Sequence, residues 1–292
     1  YGLVGSEMFI RDSIQCARPT AVNLVWAVQK MLTALLPREP SQRFDTAVKL
    51  AAQLTQEDVD TCRAIGDMGC SLIAERYQAL RRPVNILTHC NAGWLATVDY
   101  GTALAPIYAA FERGTPLHVW VDETRPRNQG LLTAWELRQQ GVPHTIIADN
   151  AGGQLMQKGD VDLVIVGADR ITRRGDVANK IGTYLKALAA FDNDIPFFVA
   201  APSSTIDWKL NDGKREIPIE NRSAAEVLTV RGVDQTGHDA SVQLAPPDEA
   251  SVNPAFDVTH NRFVSGIITE RGIFAPTDLA TRFQDQIANA GL

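Results

Sequence analysis

Two side chains in this sequence stand where reactive groups are useful, Cys90 and Asp169. Each follows a short apolar run: Val84–Leu87 leads into Thr88-His89-Cys90-Asn91-Ala92-Gly93, and Val161–Val166 leads into Gly167-Ala168-Asp169-Arg170. A thiol in a turn of small residues sits near backbone amides that lower its pKa and favour the thiolate. The other reading of Cys90 is a buried, inert cysteine. A carboxyl group ending an apolar strand is partly desolvated, which raises its pKa and lets it give up a proton near neutral pH. The other reading of Asp169 is a cap on a following helix. His89 adjoins Cys90, but neighbouring strand residues point to opposite faces, so His89 reads as a packed or capping residue and not as the partner of the thiol.

Three further segments offer places for an anion. Gly175-Asp176-Val177-Ala178-Asn179-Lys180 leads into a predicted helix over Lys180–Phe191, where free amides, the helix dipole and the lysine charge would meet a phosphate. Asn128-Gln129-Gly130 opens a second predicted helix, Leu131–Gln140, after the turn Arg125-Pro126-Arg127. Arg18 precedes a third, which starts at Pro19, a residue suited to a first helical turn. The patterns GxGxxG and GxxxxGK[ST] are absent, which argues against dinucleotide or ATP chemistry. The serine elbow GxSxG is absent too.

The elements that must carry these residues fall into two styles. Residues 14 to about 80 are predicted helical. Val22, Val25, Val28, Met31, Leu32 and Leu35 keep helical spacing until Pro37 and Pro40; further helical stretches cover Phe44–Leu54 and about Glu57 to Leu80, with Gly66 and Gly69 as weak points. From Pro83 onward, apolar runs alternate with helices: Val84–Leu87, Leu117–Val121, Thr145–Ala148, Val161–Val166 and Pro196–Ala200. Such alternation predicts βαβ units and a parallel sheet. Phe256–Val258 and Val264–Thr269 extend that sheet, and 231–253 reads as a polar loop. The expected fold is therefore α/β: an N-terminal helical region (14–80), then a Rossmann-like, mostly parallel sheet with helices on both faces (81–292). Residues 1–13 match neither part. In open parallel sheets ligands bind beyond the carboxyl ends of the strands, which is where Cys90, Asp122, Asp149, Asp169 and Ser203 all fall.

Composition narrows the partners. A net charge of -6 with no Lys/Arg run gives nucleic-acid binding no electrostatic support. No apolar run reaches the roughly 18 residues of a membrane helix. The four cysteines, Cys16, Cys62, Cys70 and Cys90, form no CxxC pair and no zinc spacing, as expected of reduced thiols in the cytoplasm.

Five segments in order resemble the methylthioribose-1-phosphate isomerase family. They are Ala17–Leu24, Leu87–Gly93, Glu123–Gly130, Val166–Ile171 and the longest, Gly175–Tyr184. The family is shared with the regulatory subunits of the exchange factor used in translation initiation and with ribose-1,5-bisphosphate isomerase. The resemblance implies an aldose–ketose isomerase of methionine salvage with no cofactor and no metal. It implies Cys90 and Asp169 as catalytic residues, Arg18, Gln129, Asn179 and Lys180 as holders of the sugar phosphate, and a homodimer. The family also carries an Arg-Gly-Ala turn upstream of the position of Arg18. No such turn precedes Arg18 here, so the chain is expected to lack the family's N-terminal segment.

The implied substrate carries phosphate on its anomeric oxygen and cannot open unaided. Asp169 would protonate the ring oxygen, and Cys90 as thiolate would take the C2 proton to give an enol phosphate; a C2-to-C1 hydride shift is the competing route. The alternatives in substrate are ribose 1,5-bisphosphate and 5-deoxyribose 1-phosphate. The alternative in class is a non-catalytic regulatory subunit that binds a sugar phosphate.

Overall fold

The computed structural model describes residues 12–14, 16–246, 248–289 and 291; the expectation for residues 1–13 lies outside them except for residues 12 and 13. Two helices come first, α1 (Asn23–Leu35) and α2 (Pro40–Leu80). The alternating part follows: β1 (Val84–Thr88), α3 (Ala105–Glu112), β2 (Leu117–Asp122), α4 (Gln129–Gln139), β3 (His144–Ile147), α5 (Ala151–Gln157) and β4 (Leu163–Val166). Next come β5 (Arg170–Thr172), β6 (Val177–Lys180), α6 (Thr183–Asp192), β7 (Phe197–Ala200) and β8 (Ile206–Asp207). The last strands are β9 (Thr229–Val233), β10 (Asp239–Gln243), β11 (Phe256–Thr259), β12 (Gly266–Thr269) and β13 (Gly272–Phe274).

Seven strands form the central sheet in the order β13-β12-β7-β4-β1-β2-β3. Every pair is parallel except β12 with β13. The alternation of side chains along each strand explains the helices on both faces. Val84 and Ile86 of β1 and Leu163 and Ile165 of β4 join the core beneath α2 and α3. Leu87, Val164 and Val166 join the opposite core, with Ala187 and Ala190 of α6. Both strands are thus apolar on both sides, as parallel strands covered twice must be. The chain leaves β1 toward β2 and β3, and leaves β4 toward β7 and β12. The point where these two directions part, between the tips of β1 and β4, is the topological switch point at which open parallel sheets bind their ligands.

Five details depart from the sequence-based expectation. The first helix begins at Asn23, and Pro19 lies in the bend before it. The two stretches expected after Pro40 are one helix of 41 residues with Pro40 in its first turn. Gly66 and Gly69 do not break it because they are contact points: a Cβ at Gly69 would stand 2.5 Å from Cγ of Pro106 on α3. The helix expected over Lys180–Phe191 starts only at Thr183, and Val177–Lys180 is strand β6, buried throughout. Four residues ending in Asn-Lys carry too little periodicity to reveal a strand. Its hydrogen bonds go to β5 and β11, so β11 belongs to a second sheet, β11-β6-β5-β8, and not to the central one. Finally, 231–253 is not loop throughout, since β9 and β10 pair there as an antiparallel hairpin.

Candidate active site

Cys90 stands two residues beyond β1, with its backbone in the left-handed region at φ 68°. Such a conformation costs about 1–3 kcal/mol in a residue with a side chain and persists only where the surroundings hold it. Here the Cys90 N–H donates to Thr124 Oγ1 at 2.8 Å, and its carbonyl accepts from Thr133 Oγ1 at 2.7 Å. Thr124 belongs to the loop after β2, which contains a cis Arg125-Pro126 peptide. The neighbouring parallel strand therefore supplies the clamp on the thiol-bearing turn.

Asp169 follows β4, next to β1. Its backbone N–H donates to Ala178 O at 2.9 Å, and its carbonyl accepts from Val22 N at 3.1 Å. Its carboxylate meets Arg18 Nη2 at 3.4 Å. Arg18 reaches it because the turn before α1 is bolted down. Arg170 donates to Pro19 O at 3.0 Å and to Thr20 O at 2.9 Å, while buried Thr20 donates through Oγ1 to Pro218 O at 2.7 Å.

Lys180 ends β6, only 8% exposed, and its Nζ lies 4.1 Å from the centre of the Phe256 ring. Arg18 leans on the same ring, at 5.6 Å. One aromatic residue thus seats both cations. Burial pushes the Lys180 ammonium below its ordinary pKa, opposed by Cys90 and Asp169 and reinforced by Arg18 and Arg127. Asn179 precedes it, and its side-chain amide donates to Thr183 Oγ1 at 3.0 Å.

Burial also pushes the Asp169 carboxyl up to about 6; Lys180 and then Arg18 pull it down, and Glu220 pushes it further up. Burial pushes the Cys90 thiol up to about 11 against the pull of Lys180. The expectation of a thiol lowered by its turn is thus overturned, because removal from water outweighs the nearby amide and the cation. Between these values the two groups together hold one proton. Such a pair offers one acid and one base at once, and its titration belongs to the pair.

Of the six residues singled out by sequence, Arg18, Cys90, Asp169 and Lys180 form one electrostatic cluster at the tips of β1 and β4. Asn179 is the chain neighbour of Lys180. Gln129 stands at the N-terminus of α4, beyond the Arg127 loop whose charge reaches Lys180; its Oε1 is buried with no hydrogen-bond partner among the described residues. Both Asn179 and Lys180 reach the site from a strand, so a helix N-terminus at Lys180 plays no part. Sequence reasoning missed Glu220, Phe256 and Thr133. Glu220 pairs with Arg18 Nε at 3.6 Å and lies in Ile217-Pro218-Ile219-Glu220, where nothing but an isolated charge in an apolar run marks it.

A buried network lies behind the cluster. His89 Nδ1 is 2.8 Å from Asp122 Oδ2 and 4.0 Å from Asp149 Oδ1, a grouping with the donor set of a metal site. Lys186 Nζ stands 3.1 Å from Asp122 Oδ2, and the Asp149 oxygens accept the N–H groups of Thr124 and Arg125, each at 2.8 Å. A buried ammonium already neutralises Asp122, so this donor set does not fit a cation. A groove of about 960 Å³ lies elsewhere, between α1, α2 and the loop after β7; Trp26, Leu54 and Pro202 line it, and neither Cys90 nor Asp169 does.

The sequence pattern of the Initiation factor 2 subunit family matches residues 9–276. Methylthioribose-1-phosphate isomerase of Acidiphilium cryptum (strain JF-5) is 60% identical over 276 residues, covering 94% of this chain and 75% of that protein. The Brucella anthropi protein of the same name is 60% identical over 269 residues, covering 91% and 74%. The crystal structure of 5-methylthioribose 1-phosphate isomerase from Pyrococcus horikoshii OT3 superposes with a TM-score of 0.78 at 39% identity, over 98% of this chain and 76% of that one. Translation initiation factor eIF-2B, subunit delta, from A. fulgidus gives 0.74 at 40% identity, over 95% and 76%. With the family pattern spanning nearly the whole chain and the five sequence segments converging on one site, this chain belongs to the Initiation factor 2 subunit family.

Proposed function

We propose that this chain is an aldose–ketose isomerase converting 5-methylthioribose 1-phosphate to 5-methylthioribulose 1-phosphate in methionine salvage. The observation that carries it is the placement of the Cys90 thiol and the Asp169 carboxyl beside two cations seated on one aromatic ring, Arg18 and Lys180. The isomerisation moves one proton from C2 to C1 and one from the C2 hydroxyl to the ring oxygen, so it needs an acid and a base together. Asp169 protonates the ring oxygen as the C1–O bond breaks. Cys90, having passed its proton to Asp169 on substrate binding, takes the C2 proton as thiolate and leaves an enol phosphate. Reversal of these roles protonates C1 and yields the C2 ketone. Lys180 and Arg18 hold the phosphate, with Asn179 and Gln129 completing the polar wall. The dianion in turn neutralises the cations that depress Asp169, which favours the proton on the carboxyl group.

Turnover of 5-methylthioribose 1-phosphate by this chain, followed as ketose formed, tests the proposal. Loss of turnover in Cys90→Ser and in Asp169→Asn is expected. Binding without turnover, unchanged by Cys90→Ser, would place the chain with the regulatory subunits instead. A substrate panel with methylthio, phosphate or hydrogen at C5 separates the sister isomerases. Substrate labelled with deuterium at C2 separates the enol route, which loses label to water from an open base, from the hydride shift, which retains it.

We also propose a homodimer acting in the cytoplasm. Leu131, Leu132 and Trp135 on α4 are each nearly half exposed, a surface suited to pairing. Light scattering reads the oligomeric state. Among the described residues no helix is long and apolar enough to cross a membrane.

A further inference from the structure

We propose that Glu136, acting through Asn91 and Thr133, is a positioning residue that sets where the Cys90 thiol stands. This inference rests on the reading of Cys90 as an acting group. The left-handed backbone of Cys90 has to be held from both sides. Thr124 takes its N–H; Thr133 takes its carbonyl by donating through Oγ1 at 2.7 Å. A hydroxyl that donates still has lone pairs, and Thr133 Oγ1 accepts from Asn91 Nδ2 at 3.1 Å. The same Asn91 amide donates to Glu136 Oε1 at 2.8 Å. Glu136 and Thr133 lie on α4 one turn apart and fully buried, so the clamp on Cys90 is built into a rigid helix.

Glu136 has a cost that calls for an explanation. Its carboxylate is fully removed from water, and its four hydrogen-bond partners among the described residues are uncharged donors. The Trp94 N–H lies 2.8 Å and the Tyr108 hydroxyl 2.9 Å from Oε2; Leu95 N–H lies 3.1 Å and Asn91 Nδ2 2.8 Å from Oε1. Buried carboxylates satisfied by dipoles alone are expensive, and an apolar residue of similar volume would serve packing at least as well. The chain is shaped around this one. A Cβ at Gly93 would stand 1.9 Å from Glu136 Oε2, so only glycine lets the Cys90–Leu95 segment close on the carboxylate. Burial, and next the Glu136 charge, push the Tyr108 phenol far above its ordinary pKa, which keeps its hydroxyl a donor. Three of the four donors, Asn91, Trp94 and Leu95, belong to the segment that begins at Cys90. A carboxylate accepting from three points of one turn fixes that turn as a body, and the thiol at its head moves with it.

The test uses two substitutions at Thr133, because Glu136→Gln would set an amide N–H against two donors and so disturb the fold as well as the turn. Thr133→Val removes the hydroxyl with nearly unchanged shape. Its kcat is expected to fall about 10- to 100-fold with KM within about threefold, as for a reacting group displaced by a fraction of an ångström. Thr133→Ser restores the donor and is expected to keep kcat within about threefold of the parent. The second readout is the rate at which iodoacetamide modifies Cys90, measured in a Cys16→Ser background because Cys16 is the exposed thiol. That rate is expected to change about tenfold in Thr133→Val and little in Thr133→Ser. Folded Thr133→Val with parental kcat and alkylation rate overturns the proposal, as does a Thr133→Ser protein no better than Thr133→Val. If Cys90→Ser retains turnover, the reading of Cys90 fails instead, and the alkylation rates still report whether Thr133 holds the turn.

Discussion

His89 Nε2 donates to the main-chain oxygen of Ile181 at 2.8 Å, which ties the residue before Cys90 to the residue after Lys180. A carbonyl can only accept, so Nε2 carries the proton. The other ring nitrogen faces Asp122 Oδ2 at 2.8 Å, and Lys186 braces Asp122 from the far side. Asp257 holds the same segment from β11: its carboxylate accepts from Gly182 N at 2.7 Å and Tyr184 N at 3.0 Å. The ends of β1 and β6 belong to different sheets. Their separation is set by this imidazole.

His89→Ala should therefore do two things. Asp122 and Ile181 O lose a buried partner, at a cost on the order of 2–4 kcal/mol, read as a lower midpoint in urea unfolding. Phosphate-ester affinity should also weaken, because Lys180 is no longer held in register with Cys90. Parental stability in this variant would show that the imidazole bridge is dispensable.

The acid–base pair makes the rate depend on pH in a stated direction. Below about 6 Asp169 and Cys90 both carry protons and the base is missing. Above about 11 both have lost them and the acid is missing. A profile of kcat/KM against pH should rise through the first value, stay level across neutrality, and fall only in strong alkali. A fall beginning near pH 7 would contradict a thiol held this high.

Asp169 should cost stability as well as serve catalysis. Its folded pKa, about 6, lies above the ordinary 3.8, so the folded protein binds the proton more tightly than the unfolded chain. Stability contributed by that proton is present below the ordinary value and is lost as pH rises through about 6. Asp169→Asn removes the ionisation. It should be inactive yet more stable than the parent at pH 8 by about 1–2 kcal/mol, after allowance for the lost Arg18 pair, and the gain should vanish near pH 4. Calorimetry at the two pH values checks this; an equal gain at both would assign it to something other than the carboxyl proton.

Lys180→Met keeps an apolar stem against Phe256 and removes the charge. Competitive inhibition by inorganic phosphate should weaken roughly 10- to 150-fold, the equivalent of a charged hydrogen bond. Inhibition that is unchanged would move the phosphate away from Lys180.

Much of this protein is legible in one dimension. The five apolar runs from Val84 to Ala200 became β1, β2, β3, β4 and β7; the inner strands stand out because a strand covered on both faces must be apolar at nearly every position, while edge strand β3 is half exposed and was marked only by its short β-branched run. Cys90 and Asp169 were visible for a related reason: each lies three residues past the end of such a run, and parallel strands end on one edge. Arg18, Gln129, Asn179 and Lys180 lay in segments read as anion sites at predicted helix starts, and the resemblance to ordered family segments singled out the residues themselves. What the sequence did not reveal depends on contacts between distant segments. Val177–Lys180 is a strand because β5 and β11 flank it, not because its residues favour one. Glu220, Phe256 and Glu136 are ordinary letters until folding sets them against Arg18, Lys180 and the Cys90 turn. The proton affinity of the thiol was decided last and by the tertiary structure alone: local amides predicted a lowered value, while desolvation by the packed surroundings raised it, since the energy of a charge depends on everything around it and not on its neighbours in the chain.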